Sequence, residues 1–316
     1  MPAGESIRRL AVGSWGAAPR DTPVPAVASR RVPARLIIAD LRNVEMHLPV
    51  EDLPLLRVGA VNYLNTKPLV HGLEALDSRL RLVLDLPSRL ADRLECGELD
   101  AALVPVVELF QHEEYTIVSD ACIACRGPVR SVKLYFRRPP RHVRSLALDE
   151  GSRTSVILAE ILLKELAGVA SPVVEPLPIG SGLASTRADA VLLIGDRAMY
   201  PQQESFEDVW DLGEAWCRWT GLPFVFAVWA ANPNCDVACL EKILGEARDR
   251  GIVEVDRIAA REAARMDLEE ASCLAYLREN LHFYLGQRER AGLARFRELA
   301  SSHRDLQRSL HDCAIR

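Results

Sequence analysis

The chain predicts an α/β protein of two lobes, with the backbone crossing between them twice and a ligand cleft between them. Three observations lead there. Short apolar runs alternate with helical patterns from about Leu56 onward, as in strands joined through helices into a parallel sheet. A double proline, Pro139-Pro140, breaks the chain after a half-polar strand, and such a pair marks a linker. A strongly apolar strand then returns at Phe224 to Trp229, after a compact strand–helix–strand block at about 137–213. The expected boundaries are 51–136 and 214–316 for the first lobe and 137–213 for the second, with 1–50 as an N-terminal extension.

Leu56 to Val61 is the first strand, and it runs into the polar loop Asn62-Tyr63-Leu64-Asn65-Thr66-Lys67. Pro68 follows, at a position suited to the first turn of a helix, with Leu69, Val70 and Leu73 on its apolar face. Leu82 to Leu86 is a second strand. Pro87-Ser88 opens a helix through Leu90 and Leu94 that Gly97 ends, and Leu99 to Val104 is a third strand. Ser131 to Phe136 is half-polar and ends the first lobe. Val143 to Leu148 is a new strand, leading through Asp149-Glu-Gly-Ser-Arg-Thr-Ser155 into a helix from Val156 to Leu166. Ala190 to Ile194 is a buried strand closed by Gly195-Asp196. Thr220-Gly-Leu-Pro is a turn before the returning strand, and from Asp236 onward apolar positions recur at helical spacing.

The bulk numbers exclude several classes. With 316 residues, 49 % apolar and 26 % charged, the chain is an ordinary globular protein of one large or two ordinary domains. A net charge of −5 without a basic block argues against a nucleic-acid surface. No apolar stretch approaches the ~18 residues of a membrane span. Eight scattered cysteines with no secretory signal fit a reduced, cytoplasmic setting. Residues 1–50 are rich in Arg, Ala and Pro, lack an apolar signal region, and are expected to be poorly ordered; Met46 offers an alternative start.

Chemistry concentrates in few places. The 62–67 loop carries two amides, a phenol, a hydroxyl and an ammonium where open α/β sheets bind ligands, although Asn residues also serve plain turns. Ser152, Arg153, Thr154 and Ser155 stand at a helix N-terminus, which favours carboxylate or phosphate; the same hydroxyls also make ordinary N-caps. Asp196 either aims a carboxylate at the cleft or caps the next helix. Cys122-Ile-Ala-Cys125 has no second pair to complete a zinc site, and the seven histidines form no ligand or triad pattern, so neither metal nor cofactor is expected. No dinucleotide, phosphate-loop or nucleophile-elbow motif occurs.

Taken in order, Val61-Asn-Tyr-Leu-Asn-Thr-Lys-Pro-Leu69, Asp149-Glu-Gly-Ser-Arg-Thr-Ser155, Leu193-Ile-Gly-Asp-Arg-Ala198 and Trp219-Thr-Gly-Leu-Pro-Phe-Val-Phe226 resemble the chorismate dehydratase family of the futalosine route to menaquinone. The similarity runs from about Leu56 to about Ala300. The resemblance implies a type II periplasmic-binding-protein-like fold used as a cytoplasmic hydro-lyase on a small dicarboxylate. Chorismate would lose water to give 3-[(1-carboxyvinyl)oxy]benzoate. By the same resemblance the family's active-site Asn maps onto Asn65. Tyr63, Thr66, Ser131, Ser152, Arg153, Thr154, Ser155 and Asp196 are then the expected substrate contacts. No His or Glu stands out as the base, and the substrate's own enolpyruvyl carboxylate is an available proton acceptor. Two other readings stay open: the sister enzyme that releases 1,4-dihydroxy-6-naphthoate, and a solute receptor of the same fold. The absence of a signal peptide or lipoprotein cysteine favours an enzyme, and the oligomeric state is not legible.

Overall fold

The computed structural model describes residues 55–302 apart from Asn234, so the expectations for residues 1–50 and for Met46 lie outside the described residues. The strands are β1 (Leu56–Val61), β2 (Leu80–Asp85), β3 (Ala101–Pro105), β4 (Thr116–Cys125), β5 (Val132–Phe136), β6 (Ser145–Asp149), β7 (Val173–Leu177), β8 (Ala190–Ile194), β9 (Asp208–Asp211), β10 (Phe224–Ala231) and β11 (His282–Tyr284). The α-helices are α1 (Pro87–Glu95), α2 (Glu108–Gln111), α3 (Arg153–Ala167), α4 (Leu212–Thr220), α5 (Val237–Val253), α6 (Val255–Met266), α7 (Glu270–Ala275) and α8 (Gln287–Ser302).

Two sheets result. The first runs β11-β4-β10-β3-β1-β2 and the second β7-β6-β8-β5-β9. Both are mixed rather than parallel. β1 pairs in parallel with β2 and β3, while β10 lies antiparallel to β3 and β4. In the second sheet β6 is parallel to β7 and β8, and β5 is antiparallel to β8 and β9. The antiparallel strands include those next to the crossovers: the chain leaves the first sheet by β4 and returns to it by β10.

Val132–Phe136, expected to close the first lobe, is instead a member of the second sheet, with Lys133 opposite Leu193 on one side and Asp211 on the other. The first crossover therefore lies at 126–131. Alternating polarity marks a strand but carries nothing about its partner. One carboxylate ties the two crossovers together. Asp211 accepts from the backbone N–H of Val129 (2.9 Å) and of Arg130 (2.6 Å), and it also caps α4 through the Glu214 N–H (3.0 Å). Arg130 has φ 62°, a left-handed conformation that an arginine adopts only when its surroundings impose it.

Apolar spacing explains the framework. In α1 Leu90 and Leu94 are fully buried behind Pro87 at the helix start, and each contributes roughly 1.5–3 kcal/mol by leaving water. α3 buries Ile157, Leu158, Ile161 and Leu162, begins at the Ser152 cap and ends at Gly168. The stretch after Pro68 is not the α-helix expected from sequence. Pro68 is instead flanked by two single 3-10 turns, Leu64–Thr66 before it and Leu73–Ala75 after it, the second entered through Gly72 in a left-handed conformation. α5 packs directly on this stretch: a Cβ on Gly251 would stand 1.9 Å from the Pro68 carbonyl oxygen. Only glycine allows that approach, which fixes the backbone just beyond Asn65.

Candidate active site

The carboxyl ends of β1 and β6, one from each sheet, deliver their loops to one cleft. Its polar lining is Tyr63 and Asn65 from the loop after β1, Ser131 from the first crossover, and Ser152 and Ser155 from the start of α3. Val61, Pro87, Pro105, Ile123, Val129, Val132, Ile194 and Phe226 form apolar walls, and Gly195 and Ala227 complete it. No Asp, Glu, Lys, Arg or His side chain lines the cleft among the described residues.

Asn65 is oriented by its neighbour. The Thr66 hydroxyl donates to Asn65 Oδ1 at 3.1 Å, which leaves the amide N–H groups for other acceptors. Ser131 is held by three bonds. Its N–H donates to the Val129 carbonyl (2.8 Å), its carbonyl accepts from the Gly195 N–H (2.8 Å), and its Oγ accepts from the Tyr276 phenol (2.8 Å). Tyr63 lies over Gly195: a Cβ there would stand 3.0 Å from the ring, and the φ of +68° also favours glycine. Burial first, then the nearby Asp149 charge, pushes the Tyr63 phenol up to about 12, with Arg197 opposing. At neutral pH Tyr63 is therefore an uncharged donor.

At the head of α3, Ser152 Oγ accepts from the Ser155 N–H (3.3 Å) and donates to Ser155 Oγ (3.0 Å). The N–H groups of a helix's first turn have no intrahelical acceptor, so those of Arg153 and Thr154 find none within α3. The positive end of the helix adds to them. The arrangement offers a carboxylate neutral donors and a helix dipole in place of a cation.

Five of the nine expected site residues converge here: Tyr63, Asn65, Ser131, Ser152 and Ser155. Four are employed otherwise. Thr66 is buried behind Asn65. The buried Thr154 hydroxyl accepts from the Val107 N–H at 3.4 Å. Arg153 reaches out to Glu108 and Asp92. Asp196 accepts from the Leu64 N–H at 3.1 Å, fastening the β1 loop from behind. Successive residues of a helix point about 100° apart. Ser152 and Ser155, three apart, thus share the cleft side while Thr154 turns towards the other lobe.

Cys122 and Cys125 are three apart in β4, a spacing that sends extended side chains to opposite faces, and burial pushes both thiols up. Asp149, fully buried, accepts from the N–H groups of Gly151 (3.0 Å) and Ile194 (3.2 Å) and from Arg197 (2.5 Å). It locks together the ends of β6 and β8 beside the cleft. Tyr276, on a π-helical turn at Tyr276–Asn280, went unnoticed in the sequence. A lone tyrosine at helical spacing reads as core, and nothing local distinguishes it.

A family model described as menaquinone biosynthesis matches residues 56–302. A chorismate dehydratase of Thermus thermophilus is 34% identical over 259 residues, covering 76% of this chain and 93% of that protein. Among solved structures, a protein of Archaeoglobus fulgidus superposes with a TM-score of 0.65 at 14% identity, over 78% of this chain and 97% of the other. The periplasmic aliphatic sulphonate binding protein of Escherichia coli gives 0.54 at 14% identity, over 80% and 94%. A Candida albicans protein with the generic periplasmic binding protein fold gives 0.52 at 14%, over 79% and 91%. The architecture is that of periplasmic binding proteins.

Proposed function

The chain belongs to the menaquinone-biosynthesis family, and from that premise we propose that it is a chorismate dehydratase, a hydro-lyase forming 3-[(1-carboxyvinyl)oxy]benzoate and water. The observation that carries this reading is the cleft itself. Asn65 and Ser131 face the Ser152–Ser155 helix head across apolar walls, and no charged side chain lines the space among the described residues.

Such a cleft suits the substrate and the step. Chorismate brings two carboxylates, and the first-turn N–H groups of α3 with Ser152 and Ser155 hold one of them. Ile123, Ile194 and Phe226 flank the ring. The hydrogen at ring C3 is vinylogous to the ring carboxylate, so its removal leaves a delocalised dienolate. The C3–H electron pair enters the ring, the C4–O bond breaks, and the departing hydroxide takes a proton to leave as water. The ring becomes aromatic, which drives the reaction. With no basic side chain on the cleft wall, the enolpyruvyl carboxylate of the substrate takes the C3 proton. The protein's part is to orient the diacid, place the Asn65 amide and Ser131 hydroxyl where charge develops, and exclude bulk water. No described helix is long and apolar enough to cross a membrane, and a cytoplasmic location goes with this reading.

Incubating the purified protein with chorismate and following the product by mass spectrometry tests it: the expected result is loss of one water with a new benzoate chromophore. Tight binding of chorismate without turnover would replace the enzyme by a solute receptor. Inertness to chorismate, with release of 1,4-dihydroxy-6-naphthoate from the cyclic futalosine precursor, would move the chain to the sister reaction.

A further inference from the structure

Tyr276 does not line the cleft, yet its phenol bonds to a residue that does. The side chain is fully buried, and its phenol donates to Ser131 Oγ at 2.8 Å. Burial pushes the phenol's ionisation well up, while hydrogen bonding with Ser131 and with Asn65 opposes that. A cleft hydroxyl is thus held by a side chain 145 positions away in sequence.

We propose that Tyr276 is a positioning residue for the dehydration, its phenol setting the side-chain orientation of Ser131. This rests on the reading of the cleft as a dehydratase site. Ser131 has one hydroxyl hydrogen. Because Oγ already accepts from Tyr276, that hydrogen points elsewhere, and the cleft is the open direction. A phenol that only needs an acceptor is served by a carbonyl, as Tyr200 is by the Met266 backbone oxygen at 2.6 Å. Tyr276 engages the Ser131 hydroxyl instead, from a π-helical turn, an uncommon conformation often found at functional sites.

The test is Tyr276→Phe, which removes one oxygen and keeps the ring. The expected result is a melting temperature within a few degrees of wild type, kcat reduced by up to ~10²-fold, as small misplacements produce, and KM changed less than about threefold. In the double variant with Ser131→Ala the loss should be no larger than for Ser131→Ala alone, because Tyr276 acts through Ser131. A Tyr276→Phe enzyme with wild-type kcat, or losses that multiply in the double variant, overturns the proposal. A crystal structure of Tyr276→Phe decides it independently of turnover. A rotated Ser131 side chain supports it even if wild type proves inert to chorismate, whereas an unchanged one refutes it. Inertness of the wild type would by itself count only against the dehydratase reading.

Discussion

Arg153 Nη1 lies 3.2 Å from each carboxylate oxygen of Glu108, so an arginine of the second lobe is committed to a buried acid of the first. Its Nη2 reaches Asp92 at 2.6 Å. Burial works against the Arg153 charge, but the two acids outweigh it; for Glu108 burial dominates and pushes the carboxyl up despite the arginine. With the Thr154–Val107 and Leu64–Asp196 contacts, this pair clasps the lobes around the cleft.

Arg153→Ala should therefore act on lobe closure rather than on a substrate contact. The variant leaves Glu108, 1 % exposed, without its cation. We expect a loss of at most about 3 kcal/mol, below the fully buried range because Arg153 is itself 20 % exposed. KM should rise several-fold with a smaller change in kcat, and adding Glu108→Gln should restore part of the melting temperature. An unchanged melting temperature with KM up more than a hundredfold would return Arg153 to the substrate.

Gly251→Ala places a methyl where the Pro68 carbonyl oxygen now sits, at 1.9 Å. Both sides of the clash are backbone, so either α5 or the loop must move. Overpacking of this kind costs about 1–3 kcal/mol. Because Pro68 is only three residues past Asn65, activity should fall along with stability. Thermal melts and steady-state kinetics report both, and a variant with wild-type kcat would show that the loop tolerates the shift.

How far the cleft was legible depends on what each residue's signal depends on. The Pro87 helix start and the Ser152 cap are local signals, and both appear in the structure, whereas the helix expected after Pro68 does not. β4 was missed because Thr116–Cys125 mixes polar and apolar residues without clean alternation, and its pairing with β10 and β11 is set by residues far away in sequence. Arg153 and Thr154 were assigned to the substrate along with Ser152 and Ser155. Sequence marks the head of a helix, but the angle at which it meets the other lobe decides which side chains face the ligand. Tyr276 was invisible for the same reason: its partner lies 145 residues away.

Asp196 gives a pH prediction. Burial, the largest influence, pushes its carboxyl up to about 6, with the Leu64 N–H and Lys67 opposing. The unfolded carboxyl titrates near 3.8, so between these values the folded protein holds more protons. Its contribution to stability is complete below about pH 4 and is lost as pH rises through about 6. Asp196→Asn keeps an acceptor for Leu64 without the buried charge. It should melt several degrees above wild type at pH 7.5, by at most roughly 3 kcal/mol at 1.36 kcal/mol per pH unit, with the gap closing towards pH 4.5. A wild type more stable than the variant at pH 7.5 would mean that the ionised carboxylate is net stabilising.

Asn65 and Ser155 separate chemistry from binding. The Asn65 amide faces the ring carbons under the proposed reaction, where charge appears only as the C3–H and C4–O bonds break. Asn65→Ala should then lower kcat by ~10²–10³ with KM nearly unchanged, the signature of an interaction made in the transition state. Ser155 faces a carboxylate that is charged throughout. Ser155→Ala removes a hydrogen bond to that anion, worth about 1.5–3 kcal/mol, so KM should rise on the order of 10- to 100-fold while kcat holds. Its backbone N–H still reaches the Ser152 cap, so α3 should persist in circular dichroism. If Asn65→Ala raised KM and spared kcat, the amide would be a binding element, and stabilisation of the developing charge would pass to Ser131.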